Sequence, residues 1–239
     1  MTGAWVARDI RMRIMPSVEA YNEDLFRDVL KTFNNLEERA SEKGNEFFNS
    51  YPGDEYTDPG DVADWAQDHS YSWWETMVSL RQSMVNLMAA GLYHLVEQQL
   101  GALSLDCAYE RVRDTRLDIV RNWYIANLGI DLASLPAWAR IDELRLVANS
   151  VKHAEGKSAQ QLRASRPDLF QNPSFAHIRA EMGGRWLDRQ EPLAMPLAGE
   201  DLFVTENDLQ AYASAARSLF ESIVEFCEVH RDDQFPLVA

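Results

Sequence analysis

Arg145, Asn149 and His153 recur at intervals of four residues in the segment running from Trp138 to His153 (WARIDELRLVANSVKH). At about 100° per residue, this spacing stacks the three side chains along one ridge of an α-helix. Asp142 and Lys152 fall on the same arc. Ile141, Leu144, Val147, Ala148 and Val151 fall on another, which the pattern assigns to a core. A guanidinium, an ammonium, an amide and an imidazole side by side form a set able to hold a phosphate and move a proton near neutral pH. The plainer alternative is a solvated face whose last-turn Lys152 and His153 offset the negative end of the helix dipole.

Other constellations fall short of their chemistry. A di-iron site in a helical bundle needs paired Glu-x-x-His motifs, whereas the chain has only His94-Leu-Val-Glu97, in reversed order. The run Gly156-Lys157-Ser158 ends like a phosphate-binding loop, but Val151 occupies the place of the required first glycine and a helix precedes it where a strand should. No G-x-S-x-G or H-E-x-x-H occurs. Cys107 and Cys227 lack the spacing of a zinc site and read as reduced, cytoplasmic thiols. His69, His177 and His230 stand in polar surroundings and are expected on the surface. Neither a metal nor a cofactor is expected.

The elements that must position the ridge are helical. Val18, Tyr21, Leu25, Val29, Phe33 and Leu36 mark an amphipathic helix from Val18 to about Lys43, with Gly44 as its stop. Residues 49–60 form a polar Pro/Gly loop, after which Asp61 is expected to cap a long helix carrying Trp73, Met77, Leu80, Met84, Leu87, Gly91 and Leu95. The methionines Met77, Met84 and Met88 read as core filling. A third helix is expected over about 106–127, ending before Gly129, and a fourth with Pro136 in its first turn, running to about His153. Four prolines between 155 and 200 predict short turns and loops there. Leu202–Val204 reads as extended, and Thr205 with Asp208 as a capping box opening the last helix. The expected class is all-α: a bundle of four to five long helices with an extra N-terminal helix. Residues 1–60 would supply that helix and the polar loop packing on the bundle. Residues 61–239 would form the bundle, with a loop-rich insert at about 155–200.

Composition is that of an ordinary globular chain, at 46% hydrophobic and 26% charged residues, with no apolar run long enough to span a membrane. The N-terminus interleaves arginine with apolar residues, so a secretory signal is not expected and a cytoplasmic location is. The net charge of −15 gives no general affinity for polyanions. Residues 111–166, however, hold ten Lys/Arg against six acids, so an anion site belongs in the central third. Residues 19–75 are the opposite, with four basic residues against fifteen acids and a cluster of aromatics at 65–74. That suits an acidic, non-catalytic interaction module engaging a basic partner protein; the plainer alternative is that the aromatics pack onto the bundle.

The Trp138–Gly156 segment resembles the signature helix of HEPN domains, helical bundles with an Arg-Asn-x-x-x-His motif near the end of one helix. The surrounding order is similar as well. Leu92–Glu97 lies on a long helix, a helix ends in Leu128-Gly-Ile, a Trp-led helix ends in Asn-x-x-Lys-His, and a last helix follows a short extended piece. The likeness covers roughly residues 77–230. It implies a metal-independent ribonuclease or RNA-binding homodimer of the kind found in toxin–antitoxin and phage-defence settings. In such a protein His153 would assist proton transfer at the ribose 2′-hydroxyl, Asn149 and Arg145 would complete the catalytic set, and Lys152, Lys157 and Arg140 would contact RNA. The motif is degenerate, because Ala148 stands where its arginine belongs. Either Arg145, one turn earlier, reaches the phosphate, or the fold is kept without the chemistry.

Overall fold

The computed structural model describes residues 2–107, 116–175, 181, 192–197 and 201–233, and the fold they form is all-α. The chain opens with a helical rod made of α1 (Gly3–Asp9), α2 (Met15–Glu19) and α3 (Arg27–Lys31), joined by wider π-helical turns at Ile10–Ile14 and Ala20–Phe26. Val6, Ile10, Ile14 and Val18 form its buried stripe. Steps of four residues drift by about 40° each around an ideal α-helix. The wider i→i+5 turns take up that drift and keep the stripe on one side. The helix therefore begins well before Val18. Pro16 lies just after the wider turn at Ile10–Ile14 and does not interrupt the helix.

The rod ends at residues 32–35, short of the expected Lys43. Three successive i→i+3 bonds tighten the turn, and Asn35 adopts a left-handed conformation (φ 55°) that asparagine tolerates better than most residues. Helix α4 (Leu36–Ser50) follows, and Gly44 lies inside it rather than at its end. There it allows a close crossing with α5 (Pro59–Cys107): an added Cβ would sit 3.0 Å from the Ala66 carbonyl oxygen. The Ser70 hydroxyl donates to the Ala40 carbonyl at 2.8 Å in the same contact. Asp58, rather than the expected Asp61, caps α5, its carboxylate accepting the Gly60 N–H at 2.8 Å.

With 49 residues, α5 is about 70 Å long and serves two structures. Its first part pairs with α4 as a helical hairpin, the arm. Its second part runs through the bundle, burying Val85, Met88, Ala89, Leu92, Val96, Leu100 and Leu103. The rod lies along the bundle, where the Tyr21 hydroxyl donates to the Met88 carbonyl at 2.7 Å across Gly91. The third helix, α6 (Leu117–Leu128), starts later than the expected position of about 106: residues 106 and 107 still belong to α5, and residues 108–115 lie outside the described residues. It ends on Gly129 (φ 71°), with the Gly129 and Ile130 N–H groups bonded to Ile125 and Tyr124 carbonyls. Asp131 then caps a 3₁₀ turn (Leu132–Ser134), and Pro136, expected in the first turn of the next helix, lies in the turn just before it.

Helix α7 (Trp138–His153) crosses the bundle part of α5, and α8 (Lys157–Ser165) folds back on α7. Two further 3₁₀ turns follow, Pro167–Phe170 and Pro173–Phe175, of the short kind expected after residue 155, although α8 is a full helix there; residues 176–180, 182–191 and 198–200 of that stretch lie outside the described residues. Residues 202–204 are extended and are held by the buried Asn86. Its amide donates to the Leu202 carbonyl at 2.7 Å and its oxygen accepts the Val204 N–H at 3.3 Å. The last helix, α9 (Glu206–Val229), opens with the expected capping box between Thr205 and Asp208. Its far end meets the chain's beginning: the Ala4 N–H donates to the Arg231 carbonyl at 3.2 Å, and Arg11 pairs with Glu228.

Candidate functional site

Helix α7 divides as its spacing requires. Ile141, Leu144, Val147, Ala148 and Val151 are all buried, and Leu146 and Ser150 join them. The opposite ridge is open: Arg145 and Asn149 are half-buried, and Lys152 and His153 are exposed. The helix stops at His153 because Ala154 turns to φ 58°, ψ −139°, a conformation that disfavours any side chain. The imidazole therefore projects from the last helical position.

From α5, Tyr93 comes within electrostatic reach of this ridge, and Glu97 and His94 adjoin it. The Tyr93 hydroxyl donates to Glu97 Oε1 at 3.1 Å, and His94 Nδ1 lies 3.2 Å from Glu97 Oε2. Burial pushes the Tyr93 hydroxyl well above its ordinary pKa, and Glu97 adds to the shift. The positive field of Arg145 opposes it and that of Asp142 reinforces it, which places the two α7 residues within electrostatic reach of the α5 group. Arg145 Nε donates to Asp142 Oδ1 at 2.8 Å. Among the described residues no hydrogen bond engages its two terminal nitrogens. A phosphate approaching them would meet Asp142 and Glu97 nearby, so the site is of mixed charge.

Comparison with known protein families, with curated proteins and with solved structures returns no match. Function must therefore be read from the geometry.

The remaining candidates are dispersed. Lys152 is next to His153, and Lys157 is exposed at the start of α8, beyond the Ala154 reversal. Arg140 lies about 140° around α7 from Arg145. Its guanidinium is held by both Glu143 oxygens, at 2.8 and 3.0 Å. Glu143 belongs to a second cluster, in which Arg166 reaches Glu143 (2.5 Å), Asp168 (2.7 Å) and Asp208 (2.8 Å), and the Tyr212 hydroxyl donates to Glu143 at 2.7 Å. This knot joins α7, α9 and the 3₁₀ turn at Pro167–Phe170.

The basic central third is thus largely neutralised where it stands. Arg121, Arg140, Arg145, Arg163 and Arg166 are all in ion pairs. Lys152 and Lys157 have no such partner among the described residues.

Three other expectations meet the structure here. His69 is exposed, His177 lies outside the described residues, and His230 is half-buried rather than on the surface, stacked on Phe226 at 4.2 Å. Cys227 is a free, buried thiol whose pKa burial raises to about 12, which leaves it unreactive. Among the described residues no cluster of three or more His, Cys, Asp or Glu could hold a metal ion, and no helix is long and apolar enough to cross a membrane. That Tyr93 of α5 comes within electrostatic reach of Arg145 and Asp142 was not legible from spacing within one helix.

Proposed function

We propose that the α7 ridge is a HEPN-like site that binds RNA and cleaves it without a metal, of the kind used in toxin–antitoxin and phage-defence settings. The observation that carries this reading is the exposure of His153 at the end of α7, in line with Asn149 and with an Arg145 whose terminal nitrogens are unengaged among the described residues.

In this reading the His153 imidazole takes the proton of a ribose 2′-hydroxyl. The oxygen attacks the adjacent phosphorus as the bond to the 5′-oxygen breaks, leaving a cyclic phosphate and a 5′-hydroxyl that takes its proton from water. Arg145 stabilises the charge that develops on the phosphate oxygens, Asn149 orients the phosphate, and Lys152 and Lys157 hold flanking phosphates. Arg140, turned away and paired with Glu143, would sit at the margin of such a complex. Arg145, Asn149 and His153 stand apart from four clefts of this surface, which other residues line. An open ridge of this kind gains a second wall when two copies pair, so the reading includes a homodimer.

The test is incubation of the full chain with a single-stranded RNA oligonucleotide in EDTA. Cleavage is expected, a matched DNA strand should survive, and His153→Ala should lower the rate at least about a hundredfold. If His153→Ala, prepared identically, cuts as fast, the proposed chemistry is wrong.

A further inference from the structure

The arm, residues 36–80, carries eleven acidic residues and only two basic ones, so it accounts for −9 of the chain's charge of −15. Both cations are engaged within the arm or at its base. Lys43 pairs with Glu46 at 2.6 Å. Arg39 donates to the Thr32 carbonyl at 2.7 Å, and its guanidinium lies over the Trp73 ring, 5.2 Å from the centroid.

Nearer the tip, a second aromatic group has no such partner among the described residues. Tyr51 lies 5.3 Å from Trp65 and 5.8 Å from Phe47, which in turn stacks on His69 at 5.1 Å. These rings pack on each other, yet 44% of the Trp65 surface and 36% of the Tyr51 surface face solvent. Asp61 and Asp68, four residues before and three after Trp65, are exposed and share its side of α5. An indole flanked by carboxylates attracts a cation twice over, through the ring's negative face and through the neighbouring charge. Arg39 on Trp73 shows a guanidinium taking such a ring within this same hairpin.

We propose that the Tyr51–Trp65 face is a docking site for a lysine- or arginine-rich segment of a partner protein, with one basic side chain on Trp65 and its neighbours against Asp61 and Asp68. Charge complementarity selects the occupant, since a surface this acidic repels nucleic acid and anionic membranes. The site is separate from the α7 ridge and stands or falls independently of the RNA reading.

The test uses the full chain and a synthetic twelve-residue arginine-rich peptide, titrated by calorimetry at low salt. Trp65→Leu, which leaves the charge unchanged, is expected to weaken binding about tenfold, the order set by a desolvated cation–π contact. Asp61→Asn with Asp68→Asn, both at exposed positions, is expected to do at least as much. Glu225→Gln with Asp232→Asn removes the same charge from exposed positions outside the arm and should change binding less than about twofold. Equal losses in the arm and control pairs would reduce the effect to overall acidity and overturn the proposal, as would undiminished binding by Trp65→Leu. RNA cleavage measured on the same variants is expected to be unchanged.

Discussion

The two parts of α5 are one helix in two solvents. From Val85 onward it buries an aliphatic stripe against the rod, α7 and α9, and its buried Asn86 is bonded to residues 202–204, while the buried Gln99 Oε1 has no hydrogen-bond partner among the described residues. Before Val85 its only buried apolar residues are Val62 and Ala66, and its hold on α4 rests on a close backbone crossing at Ala40 and Gly44. A continuous hydrogen-bonded helix keeps the arm ordered with little core of its own, which frees its aromatics and acids to face water. The bundle spends its apolar residues on stability; the arm keeps a share of them on the surface.

The largest expected effect that separates the two regions is on the ionic knot. Arg166→Met leaves Asp208 without its guanidinium and Glu143 with that of Arg140 alone, and should cost about 2–3 kcal/mol of unfolding free energy, reduced from the fully buried case because the Arg166 side chain is 20% exposed. The pH dependence has a definite sign. Burial pushes the Asp208 carboxyl up, but the Thr205 hydroxyl and Arg166 outweigh it and hold it below the usual range; Asp168 is lowered chiefly by its hydrogen bonds to Arg166. Carboxyls depressed in the folded state stabilise above their unfolded pKa, about 4, and that contribution is lost as pH falls through the folded values. Denaturant melts of wild type and Arg166→Met should converge in acid, and a gap that persists there would remove the knot from the account.

Gly44→Val is the matching experiment on the arm. The added side chain meets the Ala66 carbonyl and Ser70, and overpacking of this kind costs about 1–3 kcal/mol. Hydrogen exchange should speed up over residues 36–80 while residues 85–103 keep their protection. A uniform loss across α5 would show that the two parts unfold as one. The smallest effect is a gain. Ala154→Gly relieves the positive φ after His153 and should stabilise the bundle by about 1 kcal/mol, seen as a raised Tm.

Helix α7 was legible in the sequence because its two faces differ in chemistry, so a single periodicity separates core from ridge. The rod was missed upstream of Val18 because Arg8, Arg11 and Arg13 interrupt the apolar positions and Pro16 reads as a breaker. Gly44 misled for a related reason: a helix stop and a tight helix crossing call for the same residue. At the site, the ridge was visible but its surroundings were not. Arg140's partner Glu143 is also bound by Arg166 and Tyr212, respectively 23 and 69 residues further along the chain, and no local pattern encodes that sharing. The same holds for Asn86 and residues 202–204.

The reversal at Ala154 works as a ruler. Because the chain must leave α7 at that residue, the number of positions between the buried Leu144 and His153 is fixed. Adding or deleting one residue between Asn149 and His153 would swing the imidazole about 100° around the axis, off the line it shares with Asn149 and towards the aliphatic side or the back of the helix. Substitutions along this stretch can be absorbed one at a time, whereas a change of length would part the histidine from its neighbours in a single step.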